Sequence, residues 1–170
     1  MNYNDQDRKI KSITSVSHDG TETVENPGPE VVAALKETGR LSSEAKTAFQ
    51  AGDLDRAEAY LLNSLSIERR LGLQSRMAAD YGDLGAVYVR MGALPQAEDA
   101  IKKSLELGAA PVGRARNYYW YAHVYIKHKN LKLAEDMARK SYEIASGLDE
   151  PTAIGAKELL DWIVARNPVK

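Results

Sequence analysis

The sequence predicts an all-α protein, a right-handed α-solenoid of three helix pairs closed by a C-terminal capping helix. Three observations predict it. First, a segment recurs. Ala51-Gly52-Asp53-Leu54-Asp55-Arg56-Ala57-Glu58 lines up with Met91-Gly92-Ala93-Leu94-Pro95-Gln96-Ala97-Glu98 at a shift of 40 residues, and again with Lys129-Asn130-Leu131-Lys132-Leu133-Ala134-Glu135 at a further 37. Self-similarity at such a period marks stacked supersecondary units. Second, Tyr81, Leu84, Gly85 and Tyr88 correspond to Tyr118, Tyr121, Ala122 and Tyr125, each set spaced as one face of an α-helix. Third, from Glu30 onward Ala, Leu, Glu, Arg and Lys dominate, and glycines fall between segments rather than within them.

The elements follow in order. Residues 1–28 are polar, with isolated apolar residues at Ile10, Ile13, Val16 and Val24, too few to offset the entropy of ordering. They read as a disordered tail ending at Pro27-Gly28-Pro29, with an edge strand over 13–16 as the alternative. The helical domain spans 29–168, with repeats at about 29–71, 74–109 and 112–147 and a cap at 150–166. Helices are predicted near 30–50, 54–71, 74–91, 94–108, 112–128, 131–146 and 151–166. The first is the weakest, because Glu44 interrupts the face formed by Leu41, Ala45 and Ala48. Asp55 with Glu58 resembles a capping box for the second helix, and Pro95 suits the first turn of the fourth. Gly85 or Ala122 meets Ala97 or Ala134 on the partner helix, where small residues let two backbones approach. Asp149-Glu150-Pro151 starts the last helix and Asn167-Pro168 stops it. Its Ile154, Leu160, Trp162 and Ile163 cover the end of the stack.

Composition excludes several classes of function. The chain has 170 residues and no cysteine, so disulfide frameworks, thiolate metal sites and cysteine nucleophiles are all absent. A net charge of −1 is not that of a nucleic-acid binder. No apolar run approaches the ~20 residues of a membrane span, and no secretory signal pattern follows the N-terminal charges. The expectation is a cytoplasmic protein without membrane insertion.

The sequence offers no chemistry. His123 and His128 are five residues apart, roughly 140° around a helix, and read as two surface histidines rather than metal ligands. Gly82-Asp83-Leu84-Gly85 lies within a helical period with no strand before it, so it reads as packing rather than a phosphate loop. Glu98/Asp99 and Glu135/Asp136 sit at helix starts, where the helix dipole favours negative charge. No cofactor is expected, and the chain reads as a non-enzyme.

The pattern Tyr81-x-x-Leu84-Gly85-x-x-Tyr88, followed by Gly92, Ala97, Ile101 and Ser104, resembles the tetratricopeptide repeat. The family's unit is typically a 34-residue helix pair. Spacings of 40 and 37 resemble its longer-helix branch, as in kinesin light chain and bacterial peptide-sensing regulators. The resemblance covers about residues 30–147. It implies a protein-binding module whose first helices line a concave groove. The implied groove residues are Lys46, Gln50, Arg90, Arg116, Tyr119, Trp120, His123 and Lys127, over a floor of small residues at Ala79, Gly82 and Ala86. Counting Asp83, the groove charges sum to +3 on a chain of −1, which suits an acidic peptide. Tyr118 and Tyr121 fall on the packing face, whereas Tyr119 and Trp120 read as an exposed pair on one wall. Chaperone-binding members grip a C-terminal carboxylate with a Lys/Asn/Lys/Arg clamp. Arg116 matches it, but Ser42, Asp83 and Trp120 occupy clamp positions and Lys46 replaces the Asn, so no such co-chaperone is expected.

Two functions follow from this resemblance. In the first, the chain is a small adaptor or scaffold holding a protein or peptide in the groove, with self-association as a possible homo-oligomer. In the second, it is a regulatory protein. The acidic N-terminal tail, with five acids and three bases, or a signalling peptide then competes for the groove.

Overall fold

The computed structural model describes residues 28–166 and the backbone of residue pairs 15–16 and 22–23. Among the described residues seven helices follow one another: α1 (Pro29–Ala51), α2 (Leu54–Leu71), α3 (Gln74–Met91), α4 (Leu94–Glu106), α5 (Pro111–Lys127), α6 (Leu131–Ala145) and α7 (Glu150–Arg166). Every helix boundary lies within two residues of the sequence expectation. In the N-terminal segment, β1 (Ser15–Val16) and β2 (Glu22–Thr23) pair antiparallel, with Ser15 opposite Thr23. The expected disordered tail and the Asn167-Pro168 stop otherwise lie outside the described residues.

Each odd-numbered helix packs on the even-numbered one after it, and α7 closes the stack against α6. The pairs repeat because their turns repeat. Gly52 and Gly92 end α1 and α3 in the left-handed conformation, with φ of 81° and 80°, and their N–H groups satisfy carbonyls of the last turn. Lys129 occupies the equivalent place after α5 at φ 60°, where a side chain is strained. Asp53 caps α2 by accepting from the Arg56 N–H at 3.3 Å. The expected Asp55–Glu58 capping box is therefore not formed: the cap lies two residues earlier, Arg56 stands where the box needs an acid, and Asp55 lies in the first turn. Glu44 sits on α1 without disturbing it, because its carboxylate pairs with Arg40 one turn earlier.

The core is a chain of small clusters between layers. Ala57, Leu61, Leu65, Leu84 and Val87 join the first two pairs. Val89, Ala97, Ile101 and Val124 join the second and third, and Ala122, Ala134, Ala138, Leu160 and Ile163 seat α7. Close approach of α3 and α4 occurs where Gly85 meets Ile101, one turn along α4 from the expected Ala97. A Cβ on Gly85 would lie 2.5 Å from Ile101 Cγ1. The capping helix buries Leu160 and Ile163 but leaves Ile154 and Trp162 outward, so only half of its expected covering residues cover the end. Trp162 is roofed instead by the Arg166 guanidinium, 4.1 Å from the ring centroid.

A buried polar ladder runs between the layers. Ser104 Oγ donates to the Ala78 carbonyl at 2.5 Å and accepts from Asn117 Nδ2 at 2.8 Å. Ser141 Oγ donates to the Ala115 carbonyl at 2.8 Å. Ser64 is the equivalent residue of the first pair, and Asp80 there replaces Asn117. Asp80 is 3% exposed and accepts from Ser42 Oγ at 3.1 Å, which ties α1 to α3.

Candidate functional site

Helices α1, α3 and α5 bring their inward faces together around a cavity of 480 Å3. Its floor is the run of small residues on α3, namely Ala78, Ala79, Gly82 and Ala86. Lys46, Phe49 and Gln50 of α1 form one side, and Arg116, Asn117 and Trp120 of α5 the other. The segment between α4 and α5 completes it through Gly108, Ala109 and Ala110, with Val112 and Gly113 from the first turn of α5.

Four of the expected groove residues line this cavity: Lys46, Gln50, Arg116 and Trp120. Arg116 Nη2 lies 3.6 Å from Asp83 Oδ1 across the gap between α5 and α3. Burial pushes the Asp83 carboxyl up, while Arg116 and Lys46 pull it down. Lys46 makes no ion pair among the described residues, so the mouth carries one uncompensated positive charge.

The other four lie elsewhere. Arg90 is committed to α1: its guanidinium sits 4.6 Å over the Phe49 ring, and Nη1 donates to the Phe49 carbonyl at 2.6 Å. Tyr119 is half-buried towards the capping helix, where a Cβ on Gly155 would lie 3.6 Å from its Cε2. Burial, with Glu158 nearby, raises the Tyr119 phenol. His123 is half-buried against Tyr119 and Trp120, at ring distances of 4.8 and 5.5 Å. Burial and then Lys127 push its imidazole below the usual range. Lys127 is exposed beside it.

Two expectations are corrected. The Tyr119–Trp120 pair is not an exposed wall, since α7 covers one ring and Phe49 the other. Trp120 meets Phe49 edge to face, with centroids 6.1 Å apart. His123 and His128 are not both surface histidines. His128 is exposed, with Nε2 2.9 Å from Glu98 Oε1, whereas the His123 Nε2 is buried with no hydrogen-bond partner among the described residues. The packing role of the flanking tyrosines is visible: Tyr121 stacks on Tyr125 at 5.9 Å, and Tyr118 carries Lys140 at 5.6 Å.

Sequence reasoning missed the α4–α5 segment, which carries no charge or aromatic signal. It also missed Asn117 and Ser104 beneath the floor. Gly82 is small for their sake, because a Cβ there would lie 2.7 Å from Asn117 Oδ1. Among the described residues no group of acidic and histidine side chains could hold a metal, and no helix is long and apolar enough to cross a membrane.

A tetratricopeptide repeat model matches residues 41–109 and a second matches 115–147, together more than half of the chain. No curated protein matches the sequence. Among solved structures, the Yersinia enterocolitica type III secretion translocator chaperone SycD, in an alternative dimer, aligns at a TM-score of 0.64 and 17% identity. The alignment covers 79% of this chain and 96% of that one. PcrH in complex with the chaperone binding region of PopD aligns at a TM-score of 0.62 and 17% identity, covering 85% and 99%.

Proposed function

Since this chain belongs to the tetratricopeptide repeat family, we propose that it is a non-enzymatic adaptor whose concave face grips an acidic segment of a partner protein. The observation that carries this reading is the placement of Lys46 and Arg116 on facing helices at the mouth of one apolar cavity. A carboxylate reaching that mouth gains charge-assisted hydrogen bonds, and apolar side chains gain area against Phe49 and Trp120. The same fold in PcrH holds a region of PopD, which supports a partner segment as the occupant. The helical domain over 29–168 is the binding unit, with Lys127 extending the basic track past the aromatic rings.

The test is affinity capture from host lysate with the parent and with the double variant Lys46→Glu, Arg116→Glu. Lys46 is exposed and the Arg116 side chain is half exposed, so helicity is expected to persist. Partners held by the parent are expected to be lost, with binding weakened by at least about 2 kcal/mol. Undiminished capture of the same partners refutes the reading.

A further inference from the structure

The cavity is shaped as a pit rather than as a length of groove. Phe49 and Trp120 both line it and touch each other, so α1 and α5 are bridged directly along one wall. Arg90 clamps Phe49 from outside, and His123 backs Trp120. The interior is apolar, with Ala45, Leu61, Ala86, Val87 and Val112 among its walls. Its 480 Å3 falls within the range of roughly 300–1,000 Å3 typical of sites that enclose small molecules. The mouth holds Lys46, Arg116 and Asp83, a net of one positive charge.

We propose that this pit binds a small amphipathic carboxylate, a compact apolar body bearing one carboxylate that faces Lys46 and Arg116. The single uncompensated charge matches a monoanion. A phosphate, with about two negative charges, would leave charge unpaired beside an apolar wall. The pit opens at the same Lys46 and Arg116 that the preceding section gives to the partner segment, so the inference rests on that reading and the two carboxylates compete for the mouth. A ligand in the pit touches α1, α3 and α5 together, so its binding stabilises the stack in proportion to its occupancy.

The full chain is titrated with 2-naphthoate and with its neutral isostere 2-naphthamide, observed by NMR at the two tryptophan indole N–H groups. Naphthoate is expected to shift the Trp120 signal saturably and to leave Trp162, on the outside of α7, unmoved. Naphthamide should bind about fivefold more weakly, and Lys46→Gln should bring naphthoate to the same level. Ala79→Phe, at an exposed position of the floor, should weaken both probes at least about tenfold while the circular dichroism spectrum is retained. The proposal is overturned if naphthoate gives no saturable Trp120 shift up to about 5 mM, if acid and amide bind alike, or if Ala79→Phe changes nothing. An acetylated acidic peptide that shifts Trp120 where naphthoate does not would also overturn it. The adaptor reading would then stand, with the pit assigned to the partner segment.

Discussion

Asp80→Asn should stabilise this protein, and by more as the pH rises. Asp80 is 3% exposed. Its Oδ1 accepts from Ser42, and its Oδ2 finds no hydrogen-bond donor among the described residues. Burial pushes the carboxyl up to about 6 from an ordinary 3.8. The hydroxyls of Ser64 and Ser42 resist this, Asp83 adds to it and Arg76 opposes it. A folded-state pKa above the unfolded value means that the folded protein binds the proton more tightly. The stabilisation is therefore complete below about pH 3.8 and is lost as pH rises through about 6. A gap of roughly two units is worth about 3 kcal/mol by pH 7.5, with about half of that already lost at pH 5. Asparagine keeps the acceptor for Ser42 and has no charge to desolvate, and the equivalent Asn117 sits buried and neutral in the next repeat, its amide donating to Ser104. Thermal melting followed by far-UV circular dichroism at about pH 4.5 and pH 7.5 measures the difference between variant and parent. At 2–4 °C per kcal/mol, the variant should melt about 6–12 °C higher at pH 7.5 and by much less at pH 4.5. A difference that stays flat or shrinks as pH rises would mean that Asp80 is not the strained group the geometry makes it.

Three further outcomes are expected. Gly85→Leu should lower stability by roughly 1–3 kcal/mol or more, because the first added carbon already overlaps Ile101; denaturant unfolding measures it, and parental stability would contradict the α3–α4 contact. Lys129→Gly should raise the melting temperature by relieving about 1 kcal/mol of left-handed strain, while Gly92→Lys should lower it by a similar amount. Partner binding by the parent should weaken as salt rises from 0.05 to 0.5 M, because Lys46 and Arg116 act across solvent that screens charge within about 10 Å at 0.1 M; salt-independent binding would remove the basic mouth from recognition.

The fold was legible because its determinants are local and repeated. Ala57, Ala97 and Ala134 mark one contact three times over, and the turn glycines mark the ends of the helices between them. The site was legible only where a side chain's direction follows from its place on its own helix. Lys46, Gln50, Arg116 and Trp120 reach the cavity for that reason. Arg90 and Tyr119 lie on helices whose inward turns are equally regular, yet neighbouring helices claim them. Phe49 offers Arg90 a ring face and a carbonyl, and α7 lies against Tyr119. Periodicity within one helix cannot foresee which residue of another helix will take up a groove position, because this depends on how tightly the stack curves.

The same limit explains Asp80, and there the repeat supplies what periodicity lacks. Positions 80 and 117 are equivalent, as are 64 and 104, so the Asn117–Ser104 bond at 2.8 Å shows what the ladder needs at this place: a neutral amide facing a serine. An aspartate there meets the packing requirement and violates the electrostatic one. That violation falls where α1 is tied to α3 by Ser42, the same two helices that hold Lys46 and the floor of the cavity. Ionisation strengthens the Ser42 hydrogen bond, but the larger desolvation cost is relieved when α1 lifts away, so near neutral pH the charge favours opening of α1 before that of any later helix. If Asp80 controls α1, Asp80→Asn should slow amide hydrogen exchange in α1 and leave α6 unchanged, since local opening follows the stability of the unit that opens. Equal slowing throughout the chain would show instead that the stack unfolds as one body and that Asp80 merely lowers the stability of the whole.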